Sequence, residues 1–212
     1  MTPITSATFA SMHSKYSSWS SWAIWNPSAI TDLAPISSFP SPHAWTNGTP
    51  AQYRNDLVVV GLNATRSNVA WQNYHFNYRG CRDTYLRSAF NNSKLGGAYM
   101  TDLFRHTKAT SSARVVDELS VNVSTLPKAV ADFCKELDDL WSGYEFTESC
   151  RPCLLLLGRR AFDMYSRHFA SCPVIGKYNP RAILLPHHAA FMSEKQFVAK
   201  VGKAIMKGCP CS

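Results

Sequence analysis

Apolar and polar positions along the chain fall into two regimes that meet near residue 56. Beyond it, short apolar runs alternate with stretches of helical period. Leu57-Val58-Val59-Val60-Gly61 is β-rich and ends in Gly, the pattern of a buried strand. Residues 82–91 place Tyr85, Leu86, Ala89 and Phe90 on one side of a predicted helix. Gly96-Gly97 breaks the chain before a second strand, AYMTDLF. Residues 126–142 have a helical period, with Pro127 suited to a first turn. Cys153-LLLL is a third strand, followed by a helix over 159–169. Arg181-AILL is a fourth, followed by a closing helix over 193–207 that Ser193, Glu194 and Gln196 open as a capping box.

Strands alternating with helices four times predict an α/β fold: a three-layer α/β/α sandwich around a central four-stranded parallel sheet. In such sheets ligands sit beyond the carboxyl ends of the strands. Residues 1–56 are rich in Ser, Pro and aromatics and hold four of the six tryptophans, Trp19, Trp22, Trp25 and Trp45. A polar linker would not carry them, so this segment is expected to pack on the 57–207 core within a single domain. Tyr16, Trp19, Trp22 and Ala23 fit one face of a short helix, and Pro27, Pro35, Pro40 and Pro42 enforce an irregular path after it.

Composition narrows the classes. At 212 residues and 45% apolar, the chain can bury a real core, which excludes a mostly disordered protein. No apolar run approaches the ~18 residues of a spanning helix, and no basic start followed by an apolar block marks a secretory signal. A cytoplasmic monomer is expected, and the N-x-S/T matches at Asn47, Asn63, Asn91 and Asn122 then carry no glycan. Seven cysteines, an odd number, favour reduced thiols over a disulfide framework. Cys150-Arg151-Pro152-Cys153 and Cys209-Pro210-Cys211 offer four thiolates, but C-x-C is a poor half of a zinc site, so neither metal nor cofactor is expected. Twenty-two basic against fourteen acidic residues leave +8, the balance of a well-solvated surface or of a polyanion partner.

Asn63, Asp102, His187 and His188 follow the ends of predicted strands and so converge on one cleft. Taken singly, each also fits a turn, a cap or an ordinary surface pair. Gly61-Leu62-Asn63 resembles the first motif of the uracil-DNA glycosylase superfamily. His187-His188-Ala189-Ala190 resembles its second, usually His-Pro-Ser-Pro, and Cys153-LLLLGRRAF its third strand and helix. The resemblance spans roughly 57–206 and departs from the pattern at 188–190. It implies a monofunctional DNA N-glycosylase. Asn63 would orient the attacking water, and His187 would donate to the departing base. Tyr74 or Phe76 would stack on the flipped base, because a base must leave the duplex to be cut. Asp102 stands where family uracil readers have an Asn. A carboxylate only accepts hydrogen bonds, so it matches the N4 amino group of cytosine rather than uracil O4.

Ordinary cytosine cannot be the substrate without destroying the host genome. The resemblance then points to a marked base in phage DNA, such as glucosylated hydroxymethylcytosine, and to anti-phage defence. His188 would bind the base, and the small residues Gly96, Gly97, Ala189 and Ala190 would leave room for the added sugar. Arg66, Arg79, Arg82, Arg87, Arg105, Lys108 and Lys195, with His106, Lys200 and Lys203, form the expected DNA surface. Uracil is the second substrate; a catalytically silent nucleic-acid module and a zinc-stabilised interaction domain are the rival classes.

Overall fold

The computed structural model describes residues 4–25, 53–63, 71, 73–74, 82–90, 94–105, 115 and 124–208. A five-stranded sheet runs in the order β1-β3-β2-β4-β5, with β1 Ser21–Trp22, β2 Arg54–Asn63, β3 Ala98–Phe104, β4 Cys153–Leu157 and β5 Arg181–Leu185. Strands β3, β2, β4 and β5 are mutually parallel, as the alternating pattern predicts. The expected four-stranded sheet is corrected at one edge, where β1 pairs antiparallel with β3. The predicted helix face over Tyr16–Ala23 is corrected with it. Helix α1, Ser6–Tyr16, stops before Trp19, and Trp22 lies in β1 opposite Tyr99.

Side-chain alternation sorts the core into two layers. Val58, Val60, Leu62, Tyr99, Leu154 and Leu156 face α1 and α3, Thr125–Trp141. Leu57, Val59, Met100, Leu155 and Leu185 face α2, Asp83–Phe90, and α6, Glu194–Gly208. Helix α4, Arg159–Met164, continues through a π-helical turn, Tyr165–Phe169, and a further short helix, α5, spans Pro173–Tyr178. Its start has Pro at the first turn and its end has Asn179 at φ 45°. Of the N-terminal segment, the described residues Phe9, Met12, Tyr16 and Trp22 join the first cluster.

The expectation of reduced thiols is corrected for Cys134 and Cys172. Helix α3 and the approach to α5 bring them together as a disulfide, with Cα atoms 6.9 Å apart. Cys153 is also disulfide-bonded, and Cys150 is an exposed thiol. Among the described residues no helix is long and apolar enough to cross a membrane.

Candidate functional site

The carboxyl ends of β2, β4 and β5 carry Asn63, Gly158 and, two residues beyond β5, His187. Val60 pairs with Leu156, and Leu156 with Leu184. Asn63 and His187 each stand three residues past these matched positions, hence at equal height. They are not on neighbouring strands: β4 lies between the two. Two strand spacings put them roughly 10 Å apart at the backbone, a span that suits a nucleoside. Asn63 is half-buried and, by alternation, belongs to the face of Gly61 and Asp102.

His187 lies at the exposed rim. Its Nδ1 accepts the Ala189 backbone N–H at 3.1 Å, so a neutral ring carries its proton on Nε2. Desolvation, then the neighbouring His188, pushes its pKa down to about 4, with Asp83 opposing. The rim exposure tempers the desolvation, but the ring is neutral at pH 7 on either the ordinary or the lowered value. Gly158, at φ 90°, packs against it; a side chain there would crowd the His187 ring. His188 stacks on His187 at 4.6 Å and 18° between planes. Its Nε2 lies 3.3 Å from Asp83 Oδ1 on α2, and its side chain is 13% exposed.

The loop over 187–192 is tied to α2 from several points. Arg82 donates to the Ala190 carbonyl, Tyr85 Oη to the Met192 carbonyl at 3.4 Å, and Ser88 to Glu194. Arg82 is therefore a loop anchor, where the sequence put it on a DNA surface. Phe191, at the loop's tip, is 104% exposed. Sequence reading missed it because no periodicity marks an apolar residue that is meant to stay outside.

Asp102 lies toward the carboxyl end of β3, with its side chain enclosed. It is 3% exposed, with Oδ1 accepting from Tyr74 Oη at 2.8 Å and Oδ2 from Asn73 Nδ2 at 2.7 Å. Burial pushes its carboxyl up to about 6, against those hydrogen bonds and the charges of His188 and Arg105. A carboxylate covered and occupied in this way cannot meet an incoming base, which corrects its assignment as a base reader. Tyr74 is corrected with it. Its ring is buried edge-on against His188, and its hydroxyl is spent on Asp102 and the Thr101 carbonyl, so it offers no open stacking face. Both Tyr74 and Trp71 hold φ near +60°, uncommon for large residues and sustained here by buried anchors. Asn73, which also donates to the Trp19 carbonyl, carried no sequence motif.

Arg105 is likewise corrected. Its side chain is 4% exposed and ion-paired with the fully buried Glu136, over the rings of Tyr16 and Trp19, leaving no face for a phosphate. Gly97 lies beside the first residue of β3, at the opposite end of the strand from the site, so the glycine pair cannot make room there. Lys195 is exposed on the first turn of α6. Phe76, Arg66, Arg79 and Lys108 lie outside the described residues, as do Cys209 and Cys211. Among the described residues no cluster of three or more His, Cys, Asp or Glu is disposed to hold a metal. Comparison with protein-family models, with curated proteins and with solved structures finds no match.

Proposed function

We propose that the chain is a monofunctional DNA N-glycosylase, acting on a modified cytosine such as glucosylated hydroxymethylcytosine in phage DNA or on uracil. The observation that carries the enzyme class is the neutral Nε2–H of His187, fixed by the Ala189 N–H and level with Asn63 at one end of the sheet. Cleavage breaks the C1′–N bond and leaves positive charge on the sugar and negative charge on the base. His187 Nε2–H donates to the base carbonyl as that charge grows. Asn63 orients a water toward C1′; the C1′–O bond forms and the water's proton leaves to solvent. Asn63 has no basicity to offer, so its contribution is placement. Phe191, apolar and unsupported at the loop tip, suits a wedge into the base step from which the nucleotide is extruded.

The burial of Asp102 favours a second substrate. Without a carboxylate at the base, nothing among the described residues selects cytosine over uracil, and uracil becomes the alternative within the same enzyme class. The test is one panel of duplexes and single strands carrying glucosylated hydroxymethylcytosine, hydroxymethylcytosine, cytosine or uracil, treated with protein and then alkali. Strand breaks on one modified base, abolished in His187→Ala, support the proposal. Breaks on uracil alone select the second reading. Binding without breaks on any strand identifies a silent module.

A further inference from the structure

Position 188 departs from the motif that its neighbours resemble, and its surroundings are specific. The His188 ring lies between two other rings: His187 stacked at 4.6 Å and Tyr74 edge-on at 6.2 Å. Its Nε2 faces Asp83 at 3.3 Å, and Nδ1 is buried without a hydrogen-bond partner. A neutral His188 donates its Nε2–H to Asp83, and a protonated one forms an ion pair with it. In both states the ring plane is fixed from α2. Asp83 is itself 3% exposed at the first turn of that helix, so the anchor does not swing with solvent.

From this geometry we infer that Asp83 and His188 form a positioning pair that holds the His187 ring in its outward Nε2–H orientation. The inference rests on the glycosylase reading for its use, but not for its geometry. Among the described residues the His187 ring has one hydrogen bond, from Ala189, and one wall, Gly158. A single bond allows the ring to turn; the stacked His188 removes that freedom. The charged groups that the described residues bring near the pair include Arg82, Asp102 and Glu194. Arg82 is turned to the Ala190 carbonyl, Asp102 is occupied by Asn73 and Tyr74, and Glu194 accepts from Ser88. Asp83 is thus the acid that reaches His188. The same neighbours set the His187 titration: His188 opposes its protonation and Asp83 favours it, both after desolvation.

Imidazole ¹⁵N shifts of His187 in the intact chain test this with no substrate present. The variants are His188→Gln, His188→Phe and Asp83→Ala. His188→Phe keeps a ring against Tyr74 and His187, which guards against simple misfolding. In the wild type the Nε2–H form should dominate, and His187 should titrate below the ordinary histidine range. In His188→Gln the titration should move upward and the two tautomers should mix. His188→Phe should keep the tautomer but lose the charge effect on titration, and Asp83→Ala should mix the tautomers. On an active substrate, kcat should fall roughly 10- to 100-fold in His188→Gln with KM little changed, the scale on which partners that orient a metal-bound histidine act. Unchanged shifts and titration in His188→Gln and Asp83→Ala would overturn the positioning role even if the wild type excises a base. Absence of excision by the wild type, with the shifts moving as expected, would instead overturn the glycosylase reading and leave the pair.

Discussion

Around Asp102, single atoms decide what the site can be. Gly61 faces it across the β2–β3 register, and a methyl at 61 would overlap both Asp102 Oδ1 and Tyr74 Oη. Gly61→Ala should therefore unfold the anchor or shift it, visible as lost thermal stability with no new surface charge. Asp102 itself carries a pH signature. Its folded carboxyl sits near 6 against an ordinary 3.8, so folding favours the protonated form. Between those values the native state binds more protons than the unfolded one, and stability falls as pH rises. The contribution is fully present below about pH 4 and is lost through pH 6, by on the order of 3 kcal/mol. Denaturant melts of wild type and Asp102→Asn at pH 4, 5, 6 and 7 measure it. The wild type should lose ground relative to the variant across that window; a constant difference would show that Asp102 does not titrate there. The signal for this anchor was present in the sequence only as an Asp at a strand end. What turns it inward is Tyr74 and Asn73, thirty residues away along the chain, and no local pattern records such a meeting.

At the scale of elements, the period of each segment was legible because burial imposes it. The four parallel strands and the helices over 83–90, 125–141 and 194–208 fall where alternation and helical spacing put them. What failed were elements too short for a period. Strand β1 has two residues, and its Trp22 also satisfied a helical spacing from Tyr16 that the chain does not use. Helix α5 has six residues, yet its Pro173 start and Asn179 stop were readable signs. The capping box at 193 was legible and is complete: Gln196 N–H donates to Ser193 Oγ at 3.3 Å, and Ser193 N–H to Gln196 Oε1 at 2.9 Å. Ser193→Ala should cost about 1 kcal/mol, read as a lower melting temperature. Because this cap also ends the loop that carries His187, the variant should broaden the His187 ring signals too. A thermal loss with unaltered signals would mean that the loop is fixed by Arg82 and Tyr85 alone.

The whole molecule is held across its layers by a polar cluster that the hydrophobic pattern hides. Glu136 on α3 accepts from Tyr99 Oη at 2.5 Å and Thr101 Oγ1 at 3.0 Å on β3, and pairs with Arg105. Arg105 lies over the rings of Tyr16 and Trp19, so α1, β3 and α3 meet at one ion pair. Removing one partner leaves a buried charge unpaired, and Glu136→Gln should destabilise by about 3–5 kcal/mol. Denaturant unfolding of Glu136→Gln and of the double variant Glu136→Leu, Arg105→Met tests this, since an apolar replacement of both partners removes the stranded charge. The double variant should recover most of the loss. If it is no better than the single one, the hydrogen bonds from Tyr99 and Thr101 matter more than the charge.

Charge is also unevenly placed over the surface, and that placement bears on the partner. On the α1–α3 side three lysines are met by acids: Lys15 and Lys135 by Asp139, and Lys177 by Asp138. Helix α6 differs. Lys195, Lys200, Lys203 and Lys207 are exposed and have no ion pair among the described residues, and the helix's acid, Glu194, is held by Ser88. Lys200, Lys203 and Lys207 follow i, i+3, i+7 and so share one stripe. The 15-residue helix extends about 22 Å from the loop bearing His187 and Phe191. An extruded nucleotide at His187 would leave its flanking phosphates near the start of that stripe. Each phosphate neutralised releases a counterion, which lowers the logarithm of the binding constant by about 0.9 per unit of log salt on duplex DNA and about 0.7 on single strands. Replacing Lys200, Lys203 and Lys207 by Gln should therefore flatten the salt dependence of DNA binding by about 2 to 3 in slope. The loss should be uniform across sequences, because phosphate contacts carry no base preference. Binding isotherms on one duplex and one single strand, from 50 to 200 mM salt, measure the slope directly, with melting curves to confirm that the variant is folded. An unaltered slope would make the stripe a solvated face and send the search for the DNA path to the other side of the sheet's carboxyl end.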